Sequence, residues 1–504
     1  MDALSAAAVI MGFNFAFSFV SVLNFYRGRV GKTPVDQRSA LTPTLVISLS
    51  FLLGLISSLV TFYSFLALPS PPAILPPSSI DALYPWNLIS ELAMPLFGFA
   101  LLVAVVGSLR RPRFYALPVG LLAIAYALSL LSPKHPLDDP YLSIWVATVS
   151  LLLLIPMVLF GYLWRRTKRK TALGMFLGLI IYYAYFFYYT RTVSEYIGYL
   201  GFYLVPPEYF RHVALYQDLI SLMPMMIFIG VASLSLIYWF FQYSERKIGG
   251  EIIGYTITMP VVSLEIYILL LFLGAFPFLY VASLVLTTIA AMIFILGGSY
   301  VYGRYRESRS KQTLALSLFS FFAGLDFLLS VVGQDIYALS GARYPWFDMI
   351  ALPVGMLTGG FLFVAAMYAL DRKSLILAPA LVIAPLVIIS IMLYPMPVWF
   401  LIIMAAAGLA ITVTPGAMFG VLLRRMSKAK ERGRGRVLGI FIGFLFLIFA
   451  SPLEVISAFT PDPIAYVGSL LGLLGAVFAL LGALIFFLGV SGRFDRWFYE
   501  RRKR

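Results

Sequence analysis

Apolar runs of about 20 residues alternate with short polar loops along the whole chain, and about 20 apolar residues is what a helix needs to cross a hydrocarbon core. The runs fall at about 3–25, 42–66, 86–108, 114–132, 142–163, 172–200 and 213–242, then at about 252–273. The pattern restarts at about 277–301, 313–332, 347–370, 375–394, 397–423, 437–457 and 463–491. This predicts an all-α polytopic membrane protein of about 15 transmembrane helices, grouped as seven, one and seven. The short alternating segments of a transmembrane β-barrel are missing from the pattern.

The grouping is written in the residues as well as in the spacing. The triplet Tyr84, Pro85, Trp86 returns as Tyr344, Pro345, Trp346; GYLWRR at 161–166 returns as GVLLRR at 420–425; LGMFLG at 173–178 returns as LGIFIG at 438–443. The three markers keep their order and nearly their spacing, the signature of an internal duplication. The expected organisation is a first seven-helix repeat at 1–250, a linker transmembrane helix at 251–275, and a second seven-helix repeat with a basic cytoplasmic tail at 276–504. A seven-helix unit reverses orientation between its ends, so one intervening helix makes the two copies parallel rather than inverted.

Charge tests the same count. Lys and Arg gather in the loop after the first helix and in every second loop thereafter, at 27–38, 110–113, 165–170, 246–247, 304–311, 372–373, 424–436 and 493–504, which together hold 33 of the 37 basic residues. By the positive-inside rule the N-terminus is expected outside and the C-terminus in the cytoplasm of a cell membrane. The net charge of +15 is therefore a statement about sidedness, and nucleic acid is not an expected partner. The densest patch, RRMSKAKERGRGR at 424–436, offers Arg424, Arg425, Lys428, Lys430 and Arg432 to a cytoplasmic protein partner, against the plainer reading of ordinary positive-inside bias. The start MDAL lacks a basic leader, so the first helix reads as retained.

Composition removes whole classes of chemistry. Hydrophobic residues make up 61% of the chain and charged residues 12%. Cysteine is absent and only two histidines occur, His135 and His212, both expected in loops, so disulfides, thiolate catalysis, iron–sulfur clusters and a bis-histidine haem are excluded and no cofactor is expected. No P-loop, dinucleotide fingerprint or HExxH is present. The adjacent Asp138 and Asp139 with His135 make a weak metal signal, and a helix-capping turn is the better account of them. No catalytic residue is assigned. Three Asn and five Gln in 504 residues suit a hyperthermophilic source.

Chemistry inside the bilayer has to fall on the few ionisable residues there, because burying a charge costs several kcal/mol. Glu91 precedes Pro95 in ELAMPLFG, and Asp348 precedes Pro353 in DMIALPVG. An acid beside a proline kink at matching places in both halves suits a proton or cation site, unless both acids are hydrated near a helix end. Glu265 stands midway along the linker helix and Asp326 in the middle of FFAGLDFLLS. A second candidate site lies toward the outer face. Nine tyrosines crowd 182–209, with Tyr182, Tyr185 and Tyr189 on one helical face, and Arg191, Arg211, His212 and Asp218 follow. The tyrosines suit an interfacial belt and helix packing, or the lining of a hydrated path.

Two functions are consistent with these residues. One is a secondary transporter or ion-translocating protein, with a path for a small-molecule or ion substrate between the duplicated halves. The other is a cofactor-free integral subunit or scaffold of a respiratory or secretion complex, holding partners on its basic face.

Overall fold

A computed structural model of the chain describes residues 3–31, 33–34, 41–66, 92, 95–109, 112–131, 142–202, 209–244, 249, 251–273, 276–340, 345–392, 398–429, 433–459 and 463–494, with side chains over most of them. The described elements are helices: α1 (Ala3–Val30), α2 (Thr42–Leu66), α3 (Pro95–Leu109), α4 (Ala116–Leu131), α5 (Leu142–Thr167), α6 (Lys170–Phe202), α7 (Tyr209–Gln242) and α8 (Glu251–Leu271). They continue with α9 (Phe278–Ser308), α10 (Lys311–Ser340), α11 (Pro345–Ala369), α12 (Ala378–Met392), α13 (Val398–Ala429), α14 (Arg434–Phe459), α15 (Pro463–Val467) and α16 (Leu470–Ser491). Among the described residues nine helices are long and apolar enough to cross a membrane. Large apolar side chains stand bare on the outer faces of the helices, Leu130 of α4 at 69% exposure and Leu381 of the shorter α12 at 74%, a surface that lipid covers at no cost and water does not.

Two expected boundaries differ. The run expected at about 463–491 is broken: Gly468 and Ser469 end the short α15 through bonds from their amides to the Ile464 and Tyr466 carbonyls. Ser469 then opens α16, its Oγ accepting from the Gly472 amide at 3.3 Å. A serine that caps a new helix competes with continuation of the old one. At the other break, α7 begins at Tyr209, two residues after Pro207 in the sequence, so His212 is helical and not in a loop.

The chain forms two compact units, one of residues 1–248 and 255–271, the other of 249–254 and 272–504. In the first, α1 packs on α2 and α7, α7 on α6, α6 on α5, and α5 on α4. In the second, α9 packs on α10 and α16, α16 on α14, α14 on α13, and α13 on α12. The order of neighbours is the same.

Glycines carry the same likeness to atomic detail. A Cβ at Gly161 of α5 would press on the Phe176 ring of α6 at 2.9 Å, and one at Gly420 of α13 would touch the Phe441 ring of α14 at 3.4 Å, an ordinary contact. Gly174 and Gly178 of α6 face Phe240 and Ile237 of α7, and Gly178 also meets the Ser233 carbonyl. In the second unit Gly439 and Gly443 of α14 face Gly489 and Phe486 of α16, and Gly443 meets the Gly482 carbonyl. Residues 233, 237 and 240 correspond to 482, 486 and 489 at one constant offset. The repeated sequence LGxFxG is therefore a close-approach face, where the missing Cβ lets two helices touch backbone to side chain.

The two cores differ in content. Phe15, Phe51, Phe97 and Tyr182 form a ring cluster in the first unit, with Phe15 edge-on to Phe97 at 5.6 Å and to Tyr182 at 6.0 Å. In the second, Phe294, Phe319, Phe327 and Phe486 cluster around α9, with Phe319 and Phe486 at 4.9 Å.

Candidate functional site

The second unit holds the best-defined polar group. Asp326 is central in α10, with about 22 Å of helix between it and the basic start at Lys311. Opposite it on α11 is Gly355, and a Cβ there would lie 3.2 and 3.3 Å from the two Asp326 carboxylate oxygens. The glycine leaves room for the carboxylate against the backbone of α11. Two residues earlier, Pro353 stands inside α11, where it removes an amide donor and frees a carbonyl one turn back.

The seam between α10 and α11 changes character along its length. One turn from Asp326 toward the basic end, Phe322 of α10 stacks on Phe361 of α11 at 5.2 Å and 29°. In the other direction, Ser330, Gly333 and Tyr337 follow Asp326 at helical spacing on the same face of α10. Asp348 occupies α11 seven residues from Gly355 in that direction, in the same register; its side chain lies outside the described residues. The seam thus runs from polar positions through a carboxylate to a closed aromatic pair.

Glu265 sits in α8 on the stripe Thr258, Val262, Glu265, Leu269, whose other members are buried, and its Oε1 is buried with no hydrogen-bond partner. One face round, Ser263 accepts from the Asn14 amide of α1 at 3.3 Å. Asn14 begins a polar row on α1. Ser18 and Ser21 donate to the Leu234 and Tyr238 carbonyls of α7 at 3.4 and 3.5 Å.

The tyrosine-rich stretch is packed rather than wet where it is described. Tyr182 is 3% exposed and Tyr185 7%, with Tyr182 against Phe97 at 5.3 Å and Tyr185 at 5.4 Å. Arg191 lies on α6, and Arg211, His212 and Asp218 on α7; their side chains lie outside the described residues. So do the whole of Glu91, Lys430 and Arg432, and the side chain of Lys428. Arg424 and Arg425 are exposed at the basic end of α13.

A buried polar group that the sequence reading passed over is Asp335, 7% exposed near the end of α10. The apolar run was expected to stop at about 332, which places Gln334 and Asp335 in a loop; the helix continues to Ser340 and carries both. The signal available in the sequence was the pair Gln334 and Asp335 directly after the apolar run.

Among the described residues no three His, Cys, Asp or Glu side chains converge on a metal position. Fold and surface together define a multi-pass, all-α membrane protein. Compared with known proteins, the chain matches no family model, no curated sequence and no solved structure.

Proposed function

We propose that the protein is an ion-translocating or secondary transport protein of the cell membrane, with Asp326 as its central proton or cation site. The carrying observation is the Asp326 carboxylate set against Gly355 at mid-span. An ionisable group at that depth is expensive and is retained where it does work. The α10–α11 seam supplies the rest of the reading: polar positions and Asp348 on one side, the Phe322 and Phe361 pair as a closed gate on the other. Glu265, with its buried unpartnered oxygen, and Glu91 are further proton or cation sites in this reading.

The architecture we propose is about 15 spans in two parallel seven-helix repeats joined by α8, with the N-terminus outside and the C-terminus in the cytoplasm. The matched neighbour order and the matched glycine contacts support the duplication, and the distribution of Lys and Arg supports the orientation. Arg424 and Arg425 are free to meet a cytoplasmic protein in either functional reading.

The test is flux. Purified full-length protein in proteoliposomes, loaded with a pH-sensitive dye and driven by Na⁺, K⁺ or proton gradients, is expected to pass an ion, and Asp326→Asn is expected to abolish the flux while its thermal unfolding stays close to wild type. Flux unchanged in Asp326→Asn overturns the assignment. Stoichiometric co-purifying subunits, with no flux from the isolated chain, would favour the complex-subunit reading.

A further inference from the structure

Two residues, Lys168 and Arg169, join α5 to α6, and the turn they make is closed on itself. Lys168 is left-handed at φ 55°, and its amide donates to the Trp164 carbonyl at 2.7 Å. The Thr167 hydroxyl donates to the Leu163 carbonyl at 2.7 Å and accepts from the Arg169 amide at 3.4 Å. A helix end whose last carbonyls are satisfied locally holds its backbone in place before anything binds. What this one displays is charge: Arg165, Arg166, Lys168 and Arg169 lie within five consecutive residues, and all four are exposed.

Nothing along these helices neutralises that charge. The sequence has no Asp or Glu between Asp139 and Glu195, and none of the four cations forms an ion pair among the described residues. Lys168 sets its Nζ over the Trp164 ring at 5.6 Å, a contact that leaves the ammonium charged. Behind the turn, α5 is long and apolar enough to cross a membrane, so its basic end stands at the level of lipid headgroups. Ile144, Leu151, Val158 and Tyr162 are exposed and share one stripe of α5 by helical spacing. Leu152 and Phe160 are buried on the opposite side. The exposed stripe ends one turn before Arg165 and Arg166.

We infer that this turn binds an anionic phospholipid, with the headgroup phosphate on Arg165, Arg166 and Arg169 and an acyl chain along Leu151, Val158 and Tyr162. Arginine suits a phosphate because its planar fork can donate two parallel hydrogen bonds. A soluble acidic partner would meet the cations but not the apolar stripe below them, whereas a phospholipid presents its charge and its hydrocarbon in the same order as α5. Trp164 and Tyr162 add the aromatic side chains that favour the headgroup level. The related motif GVLLRR at 420–425 lacks this combination. Val421 and Leu423 stand where the first copy has Tyr162 and Trp164, α13 runs on to Ala429, and the link beyond it contains Glu431.

Native mass spectrometry of the full-length protein in a neutral detergent, titrated with dioleoylphosphatidylglycerol or dioleoylphosphatidylcholine, counts the lipids that stay bound. Phosphatidylcholine has the same phosphate and chains but carries its own cation. One phosphatidylglycerol is expected to bind first, with phosphatidylcholine following only at concentrations about tenfold higher. A cation beside an anionic headgroup is worth about fivefold in affinity, so the variant Arg165→Gln, Arg166→Gln, Arg169→Gln is expected to weaken that first lipid about a hundredfold. Lysine at the same three positions keeps the charge and is expected to recover most of the binding. Arg424→Gln with Arg425→Gln is expected to leave it unchanged. Equal binding of the two lipids by the wild type overturns the site without reference to any variant, and so does equal phosphatidylglycerol binding by the wild type and the triple glutamine variant. Displacement of the lipid by an equal concentration of inorganic phosphate would mean that the apolar stripe contributes nothing, and it overturns the lipid assignment.

Discussion

Gly443 of α14 lies so close to Phe486 of α16 that a Cβ on the glycine would fall 2.6 Å from the Phe486 amide nitrogen. Backbone does not move aside as a side-chain tip does, so the contact depends on the glycine. The corresponding Gly178 meets Ile237 and lies near the Ser233 carbonyl, and Ser233 closes the contact by donating to the Gly178 carbonyl at 2.7 Å. Gly443→Ala and Gly178→Ala are expected to lower stability by about 1–3 kcal/mol, as overpacking does. At Gly120 of α4 a Cβ meets nothing within 4 Å, so Gly120→Ala is expected to leave stability unchanged or raise it by up to about 1 kcal/mol. Thermal unfolding of the three variants in one detergent gives the comparison.

These glycines were legible in the sequence as a repeated motif, LGxFxG, and helices that approach closely need positions without a Cβ. The helical segments were legible from the length of the apolar runs. What opposes Asp326 was not, since residues 326 and 355 are brought together only by packing, and no local pattern announces a glycine facing an acid on another helix. The burial of Asp335 was hidden for a different reason. Polar residues at the end of an apolar run read equally as loop, and the break before α16 is made by Gly468 and Ser469, residues common inside membrane helices. Of the two readings of the tyrosines, helix packing holds where their side chains are described: Tyr182 packs among Phe15, Phe97 and Tyr185.

Ser469 serves both sides of that break. Its hydroxyl donates to the Tyr466 carbonyl at 2.6 Å and accepts from the Gly472 amide at 3.3 Å, so it ends one helix and caps the next. Ser469→Ala is expected to cost about 1 kcal/mol, and Ser469→Thr, which keeps the hydroxyl, is expected to recover most of it. Hydrogen exchange at the first amides of α16 should rise in the alanine variant and stay near wild type in the threonine one.

Arg304 fastens the other end of α16. Its two terminal nitrogens donate to the Val490 and Ser491 carbonyls at 2.9 and 3.2 Å, and its guanidinium lies over the Tyr300 ring at 5.0 Å. These carbonyls end a helix and have no partner within it, and a cation there also meets the negative end of the helix dipole. Arg304→Ala is expected to destabilise by about 1.5–3 kcal/mol. Arg304→Lys keeps the charge and loses the fork, so an intermediate loss is expected. Unfolding midpoints at low and high salt separate the two contributions, because the dipole interaction is screened and the paired hydrogen bonds much less so.

The aromatic pair beside Asp326 makes the sharpest claim on transport. Phe322 and Phe361 close the α10–α11 seam one turn from the carboxylate toward the basic end, so in the proposed mechanism they separate Asp326 from the cytoplasm. Phe361→Ala removes one face of the stack. Its fold cost is expected at about 3 kcal/mol if the site stays collapsed, and its functional effect is a leak: ion flux down its gradient that no longer saturates with ion concentration. Phe361→Leu fills the volume without stacking and is expected to leak less. The double variant Phe361→Ala with Asp326→Asn decides what carries the leak. If flux stops, the ion passes by way of the carboxylate and the pair is its gate; if flux persists, the pair seals a pore that has no need of Asp326, and the carboxylate is not the central site.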